Sequence, residues 1–304
     1  MKQFQLALVF SFIFLGNSAQ RSLDLFTLAG YYGLPSKYEA PYENQKAKPL
    51  GAQVVATLPI PLNETTYWFN QITYNNFNID NDITMPAGIA NPIHLSAFIM
   101  QTGLYKKFGE GQGIQILFAP RYMTDFQNAS GKNFQLGGII MYEKDFHEGL
   151  LMRFGAMYHN ELGGPLLVPI VHTDWQINSK WSLVGMWPIY GKFKYQVNDN
   201  ISTGISHFGL VTSYRLGHPD YEGDYMERTS IDLSWFGRIR LTGNLHMEGR
   251  FGYALGREYK QYSADQKADF RIAILKFGDN RVAKNVLFEP GFVVNLRVVY
   301  NMPL

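Results

Sequence analysis

The stretch Met226–Tyr259 reads MERTSIDLSWFGRIRLTGNLHMEGRFGYALGREY, and its alternation sets the fold class. In its first run Ile231, Leu233, Trp235, Ile239 and Leu241 share one face, while Arg228, Ser230, Asp232, Ser234, Arg238 and Arg240 share the other. After Thr242-Gly243-Asn244 a second run puts Leu245, Met247, Phe251, Tyr253 and Leu255 opposite His246, Glu248, Arg250 and Glu258. A period of two is the signature of a β-strand. Strands this long, apolar on one side and charged on the other, fit a barrel with lipid outside and water within.

The same parity recurs along the chain. Leu150, Met152, Phe154, Ala156 and Tyr158 oppose Arg153, Gly155 and His159; Ile114, Ile116, Phe118, Tyr122 and Phe126 oppose Gln115, Arg121 and Asp125. Phe193, Tyr195 and Val197 oppose Lys192, Lys194 and Gln196. An Arg or Lys facing lipid at mid-bilayer costs about 2–4 kcal/mol, so segregated charges mark a solvent boundary. The segments 65–77 and 92–106 are less clean, with polar and aromatic residues on both faces.

Fourteen strand-like segments are expected: 22–32, 50–60, 65–77, 92–106, 113–126, 133–143, 149–160, 165–177, 180–187, 190–197, 200–215, 225–241, 244–259 and 287–300. Short breaks fall at Pro61–Glu64, Gly109–Gln112, Asn178-Ser179, Asn198–Asn200 and Gly243-Asn244, where Gly, Asn, Asp and Pro supply turn dihedrals. Longer polar stretches occupy 33–49, 78–91, 216–224 and 260–286. Walking up and down from a periplasmic N-terminus puts the short turns on one side and the long segments on the other, as in outer-membrane barrels. The count is even only if 180–197 forms two short strands bent near Pro188; read as one strand, twelve is the alternative. A soluble sandwich or lipid-binding barrel would bury the apolar face instead.

Composition is compatible with this. Hydrophobic content is 46% and aromatic content 15% of 304 residues. The mean hydropathy is slightly negative, which excludes a helical membrane protein. A formal net charge of +2 with no basic cluster argues against a nucleic-acid partner. With no cysteine there are no disulfides or thiolate metal sites. Lys2, an apolar run from Phe4 to Leu15 and the small residues before Gln20 predict a secretory signal peptide over 1–19, cleaved after Ala19. The mature barrel would then be 20–304.

Certain stretches resemble a family of Gram-negative outer-membrane β-barrels described as a domain of unknown function. They are Gly164-Pro165-Leu166-Leu167-Val168-Pro169-Ile170, Asp174–Leu183, Tyr214-Arg215-Leu216 and Tyr300-Asn301-Met302-Pro303-Leu304. The resemblance covers most of the mature chain. It implies a barrel in the cell outer membrane, inserted by the barrel-assembly machinery and surrounded by lipid, and no activity. More distantly the chain is similar to barrels that pass fatty acids or aromatic hydrocarbons. The fatty-acid carriers have an N-terminal plug, for which no length is expected ahead of the first strand here. The terminal stripe Phe292, Val294, Leu296, Val298 and Tyr300 is similar to the C-terminal insertion signal, departing from it in the four residues that follow Tyr300.

The residues expected to line the lumen are Arg121, Asp125, Glu143, Arg153, His159, His172, Asp174, Lys192, Lys194, Arg228, Asp232, Arg238, Arg240, Glu248, Arg250 and Arg297. Both signs occur, with a basic excess. Either they pair across strands and fill the bore, or they line a narrow path favouring anionic or amphipathic solutes, since fourteen strands fall between filled and open barrels. A lipid hydrolase would need a Ser beside His159 or His172, and no serine has that spacing. His94, His159, His172 and His246 show no metal-ligand spacing, and Gly109-x-Gly111-x-Gly113 lacks the helix and Lys of a phosphate loop. No catalytic residue, metal or cofactor is expected. The sequence thus points to a monomeric, porin-like channel for small solutes, or else a closed structural or surface-binding barrel. Segment 260–286 is long enough to fold inward as a cap or to stand above the membrane as a hairpin.

Overall fold

The computed structural model describes residues 22–303; the leader expected over 1–19 lies outside them. The described chain is all β with two single-turn 3-10 segments, and no described helix is long and apolar enough to cross a membrane.

Fourteen antiparallel strands form the wall: β1 (Ser22–Gly33), β2 (Lys46–Pro61), β3 (Thr66–Asp80), β4 (Ile93–Lys107), β5 (Gln112–Phe118 with Arg121–Thr124), β6 (Phe134–Gln135 with Gly137–His147), β7 (Leu150–Glu161), β8 (Gly164–Gln176), β9 (Trp181–Trp187), β10 (Tyr190–Asn198), β11 (Ile201–Arg215), β12 (Tyr225–Thr242), β13 (Leu245–Ala254 with Glu258–Tyr262) and β14 (Gly291–Pro303). Each pairs with its neighbour. The ring closes where β1 meets β14, from Ser22↔Pro303 to Gly33↔Val293. The split at 180–197 is settled: β9 and β10 are separate strands turning at Pro188-Ile189, so the count is fourteen and not twelve.

Connections differ in length at the two ends. At the turn end Asn63, Asn178 and Asn198 each accept backbone N–H groups two or three residues ahead through Oδ1, the Asx geometry that closes a tight hairpin. The other rim, the loop end, carries 34–45, 81–92, 125–133, 216–224 and 263–290. Two loop-end turns are nevertheless short, at 162–163 and 188–189, so β9 and β10 leave the wall low there. Above β9, whose last pair is Val171↔Trp187, β8 is joined in parallel by Phe270–Ile272 at Leu166 and Leu167. Pro169 sits between the two partners. It shares the edge to which Leu167 presents its carbonyl for Ala273, and as a proline it has no N–H to leave unpaired there.

Alternation sorts the surface as the sequence indicates. Leu28, Leu104, Ile116, Ile140, Phe251 and Leu296 form an exposed outer belt, flanked by Trp68, Trp181 and Tyr300 at the turn end and by Tyr32, Tyr158 and Phe292 toward the loop end. An apolar band between aromatic girdles is the outer face of a membrane barrel. On β3 and β4 the outer face turns polar near the loop end, where Asn76, Asn78, His94 and Ser96 hydrogen-bond one another.

One parity assignment is overturned. Asp232 faces Ala254, but Thr229 faces Glu258, so β13 spends four residues where β12 spends three. That bulge leaves Leu255 exposed outside and reverses the faces by Glu258. Tyr259 and Gln261 are buried inside, whereas Glu258 and Lys260 pair with each other on the opposite face.

Candidate lumenal site

Three layers occupy the interior. At the loop end the upper half of the β11–β12 hairpin leaves the wall and crosses the lumen: Arg215 pairs in parallel with Thr124 of β5, which lies six staves away around the ring. Ser213 is held there by Glu161, which accepts from its N–H at 2.9 Å and from its hydroxyl, while Arg121 donates to Glu161 at 2.6 Å. Tyr214 and Met226 of the hairpin pack with Ile79, Leu95, Ala97 and Met123 of β3–β5 in one buried core. Arg228 lies 3.9 Å from the Phe77 ring centroid and donates to the Tyr259 hydroxyl.

Segment 263–290 closes over this hairpin. Glu227 accepts from Arg271 and Arg281 at 2.8 Å and from Lys276 at 3.2 Å, and Arg281 also clasps Asp279 at 2.7 Å. Those hydrogen bonds from Arg281 hold the Asp279 carboxyl down at about 2. Arg271 ties the segment to β8 through the Gly164 carbonyl at 2.7 Å. Burial pushes the nearby rim residue Tyr38 up to about 12. The segment is thus a cap that also carries a hairpin, Phe270–Ile272 with Leu275–Phe277.

The middle layer is apolar on one side, with Leu117, Ile139, Met141, Met157, Leu166, Val168 and Ile170 facing inward beside Met186 and Ile189. His159 is buried against Gly137, and no partner is found for its Nδ1. His172 faces Arg153 while His159 faces Leu166, six positions away on β8, so the two rings are roughly 20 Å apart. They do not form one site.

Toward the turn end lies an ionic layer. Glu248 has no exposed surface and is surrounded by Lys192 and Arg238 at 2.7 Å, Arg250 at 2.7 Å and Arg297 at 3.0 Å. Arg238 also holds Asp24 at 3.0 Å, and Asn301 donates to Asp24. A second pair, Glu143 and Arg153 at 2.6 Å, receives the Tyr105 hydroxyl. Inward positions here keep accessible surface: Val184, which pairs with both Asp174 and Lys192, is 38% exposed and Tyr190 is 42% exposed. Space therefore remains inside the wall.

The sixteen candidate residues divide among these layers. Glu143, Arg153, His172, Asp174, Lys192, Lys194, Arg238, Glu248, Arg250 and Arg297 share inward-facing positions in the lower barrel, and Asp232 hydrogen-bonds Ser230 above them. Arg240 is exposed at the turn-end rim opposite His246. Arg121, His159 and Arg228 are sealed in the loop-end layers and line no open space. Asp125 lies past the end of β5, where it accepts from the backbone of Gln127 and Gly217 and staples two loops. Alternation missed Asp24, Glu161, Glu227, Arg271 and Arg281. The signal for Glu227 was present: it is a carboxylate on the same parity as Leu233 and Trp235.

A family model matches residues 112–293, more than half of the chain. The chain belongs to the DUF6268 family, a domain of unknown function. Comparison of this DUF6268 barrel with curated proteins finds no match. Among solved structures it is similar to the COG4313 outer membrane channel from Pseudomonas putida F1, at 10% identity over 95% of this chain and 100% of that one, with a TM-score of 0.44. The NanC porin overlays at 8% identity over 90% and 98% of the two chains, TM-score 0.38. The TodX monoaromatic hydrocarbon channel, as its deltaS2 mutant, does so at 10% identity over 95% and 91%, TM-score 0.37. These overlays are loose.

Proposed function

We propose that this DUF6268 protein is a monomeric barrel of the Gram-negative outer membrane, its turn end periplasmic, that acts as a gated passive channel for small anionic or amphipathic solutes. The observation that carries the reading is the accessible interior at Val184 and Tyr190 beside a cluster in which cations outnumber carboxylates. The outer apolar belt supports the membrane address, because a belt of this extent exposed to water would drive aggregation. In this reading lipid and, during insertion, the barrel-assembly machinery are the partners, and the 263–290 cap with the inward hairpin is the gate. The role is transport and not catalysis.

A closed surface or structural barrel is the second reading, favoured by the fully buried clasp of Glu227 at the loop end. Planar-bilayer recording separates the two. The channel reading expects small anion-selective currents that grow in Glu227→Ala. Absence of current above leak in both proteins at every voltage establishes the closed barrel.

A further inference from the structure

The channel reading leaves open what the ionic layer does with its surplus charge. Lys192, Lys194, Arg238, Arg250 and Arg297 are five cations that share the layer with three carboxylates, Glu248, Asp24 and Asp174, so positive charges exceed negative ones by two. The carboxylate of Glu248 is wholly covered, whereas the four cations around it keep 14–24% of their side-chain surface exposed. Asp24 keeps 31% of its side-chain surface exposed but is turned to Arg238 and Asn301, so the donors beside Glu248 that a solute meets are those of Lys192, Arg250 and Arg297. Arg297 gives one of its five N–H groups to Glu248, and Lys192 one of three. Asn295 faces Arg250 across the strand pair, half-buried, and no partner is found for its side-chain oxygen.

The surroundings narrow the ligand. Val184 stands directly opposite Lys192, Tyr190 lies two residues along the same face, and Lys192 sits 5.1 Å from the Phe236 ring centroid. An apolar shelf thus adjoins the donors. We infer that Lys192, Arg250 and Arg297 form a lumenal site for the carboxylate of a small organic acid, whose apolar body rests on Val184 and Tyr190. Guanidinium forks match a planar carboxylate in two parallel hydrogen bonds, and a shelf of this kind gives an inorganic anion nothing. The inference rests on the accessible lumen of the channel reading, but binding and conduction are separate measurements.

Isothermal titration of the folded barrel in dodecyl maltoside, at low salt, with benzoate, acetate and inorganic phosphate tests it. Saturable benzoate binding is expected, about tenfold tighter than acetate and tighter than phosphate. Arg297→Gln weakens benzoate by about tenfold, Lys192→Arg changes it by less than about threefold, and Val184→Asn weakens benzoate while leaving acetate unchanged. Should Arg297→Gln lose the heat-resistant gel mobility of a closed barrel, the Lys192→Arg and Val184→Asn pair bears the test. The site is overturned by absence of saturable heat with the wild type, by unchanged affinity in a folded Arg297→Gln, by phosphate binding as tightly as benzoate, or by benzoate indifferent to Val184→Asn. Absence of conductance together with saturable benzoate binding removes the channel and leaves the site.

Discussion

Ser213 and Glu227 face each other across the β11–β12 pair on the flank that lower down carries Ile205 and Trp235, yet neither has appreciable exposed surface. The hairpin has left the wall at that height. What would be its lipid side is covered by Glu161 on one strand and by the arginines of the cap on the other.

Removal of the Glu227 carboxylate leaves the buried Arg271 without an ionic partner and Arg281 and Lys276 with Asp279 alone. Glu227→Gln is expected to destabilise the barrel by about 3–5 kcal/mol, because breaking a buried ion cluster leaves unpaired charge. Urea unfolding in detergent measures this, and limited proteolysis should cut within 263–290 first. A variant as stable and protease-resistant as the parent would show the clasp to be idle.

The cap should tolerate acid. Arg281 holds the Asp279 carboxyl at about 2, below its ordinary 3.8. A depressed carboxylate stabilises fully above its unfolded value, and the contribution fades as pH falls through the folded one. Amide exchange in 263–290 should therefore stay slow at pH 4 and quicken toward pH 2, and Asp279→Asn should flatten that transition. Equal exchange at both values would remove the clasp as its cause.

The outer belt predicts an asymmetry between two substitutions. Ile116→Arg places a cation against acyl chains and should cost about 2–4 kcal/mol in lipid vesicles, whereas Val184→Lys faces the lumen and should cost far less. Folding titrations in vesicles compare them. The reverse ranking would mean the faces are exchanged.

Gly137 allows the His159 ring to lie flat on the backbone, since a Cβ there would sit 2.1 Å from Nδ1. Gly137→Ala should cost about 1–3 kcal/mol by overpacking. His159→Ala should recover much of that in the double variant, a coupling that a thermodynamic cycle reads directly. Strictly additive losses would contradict the contact.

The wall was legible because period-two patterning and turn chemistry are local. Each of the fourteen segments matches an observed strand, the β9–β10 break at Pro188 included. The lower charges Lys192, Arg238, Glu248, Arg250 and Arg297 were legible for the same reason. Two kinds of feature were not. A one-residue bulge such as that before Arg257 leaves composition unchanged and reverses every face beyond it, which is why Glu258 was assigned inward. The departure of β11 and β12 from the wall depends on partners far away in the chain, Thr124, Glu161 and Arg271. No window of sequence contains them, and Glu227 on an apolar parity was the single local trace.

The ionic layer joins residues from opposite ends of the polypeptide: Asp24 belongs to the first stave and Arg297 to the last, with Arg238 and Glu248 bridging them through the two before it. Arg238, Glu248 and Arg297 are cross-strand neighbours before the cylinder shuts, whereas Asp24 has no cation to meet until it does. The Asp24 contact is thus a keystone, made only when the first stave reaches the last, and an open sheet would leave Arg238 answered by Glu248 alone.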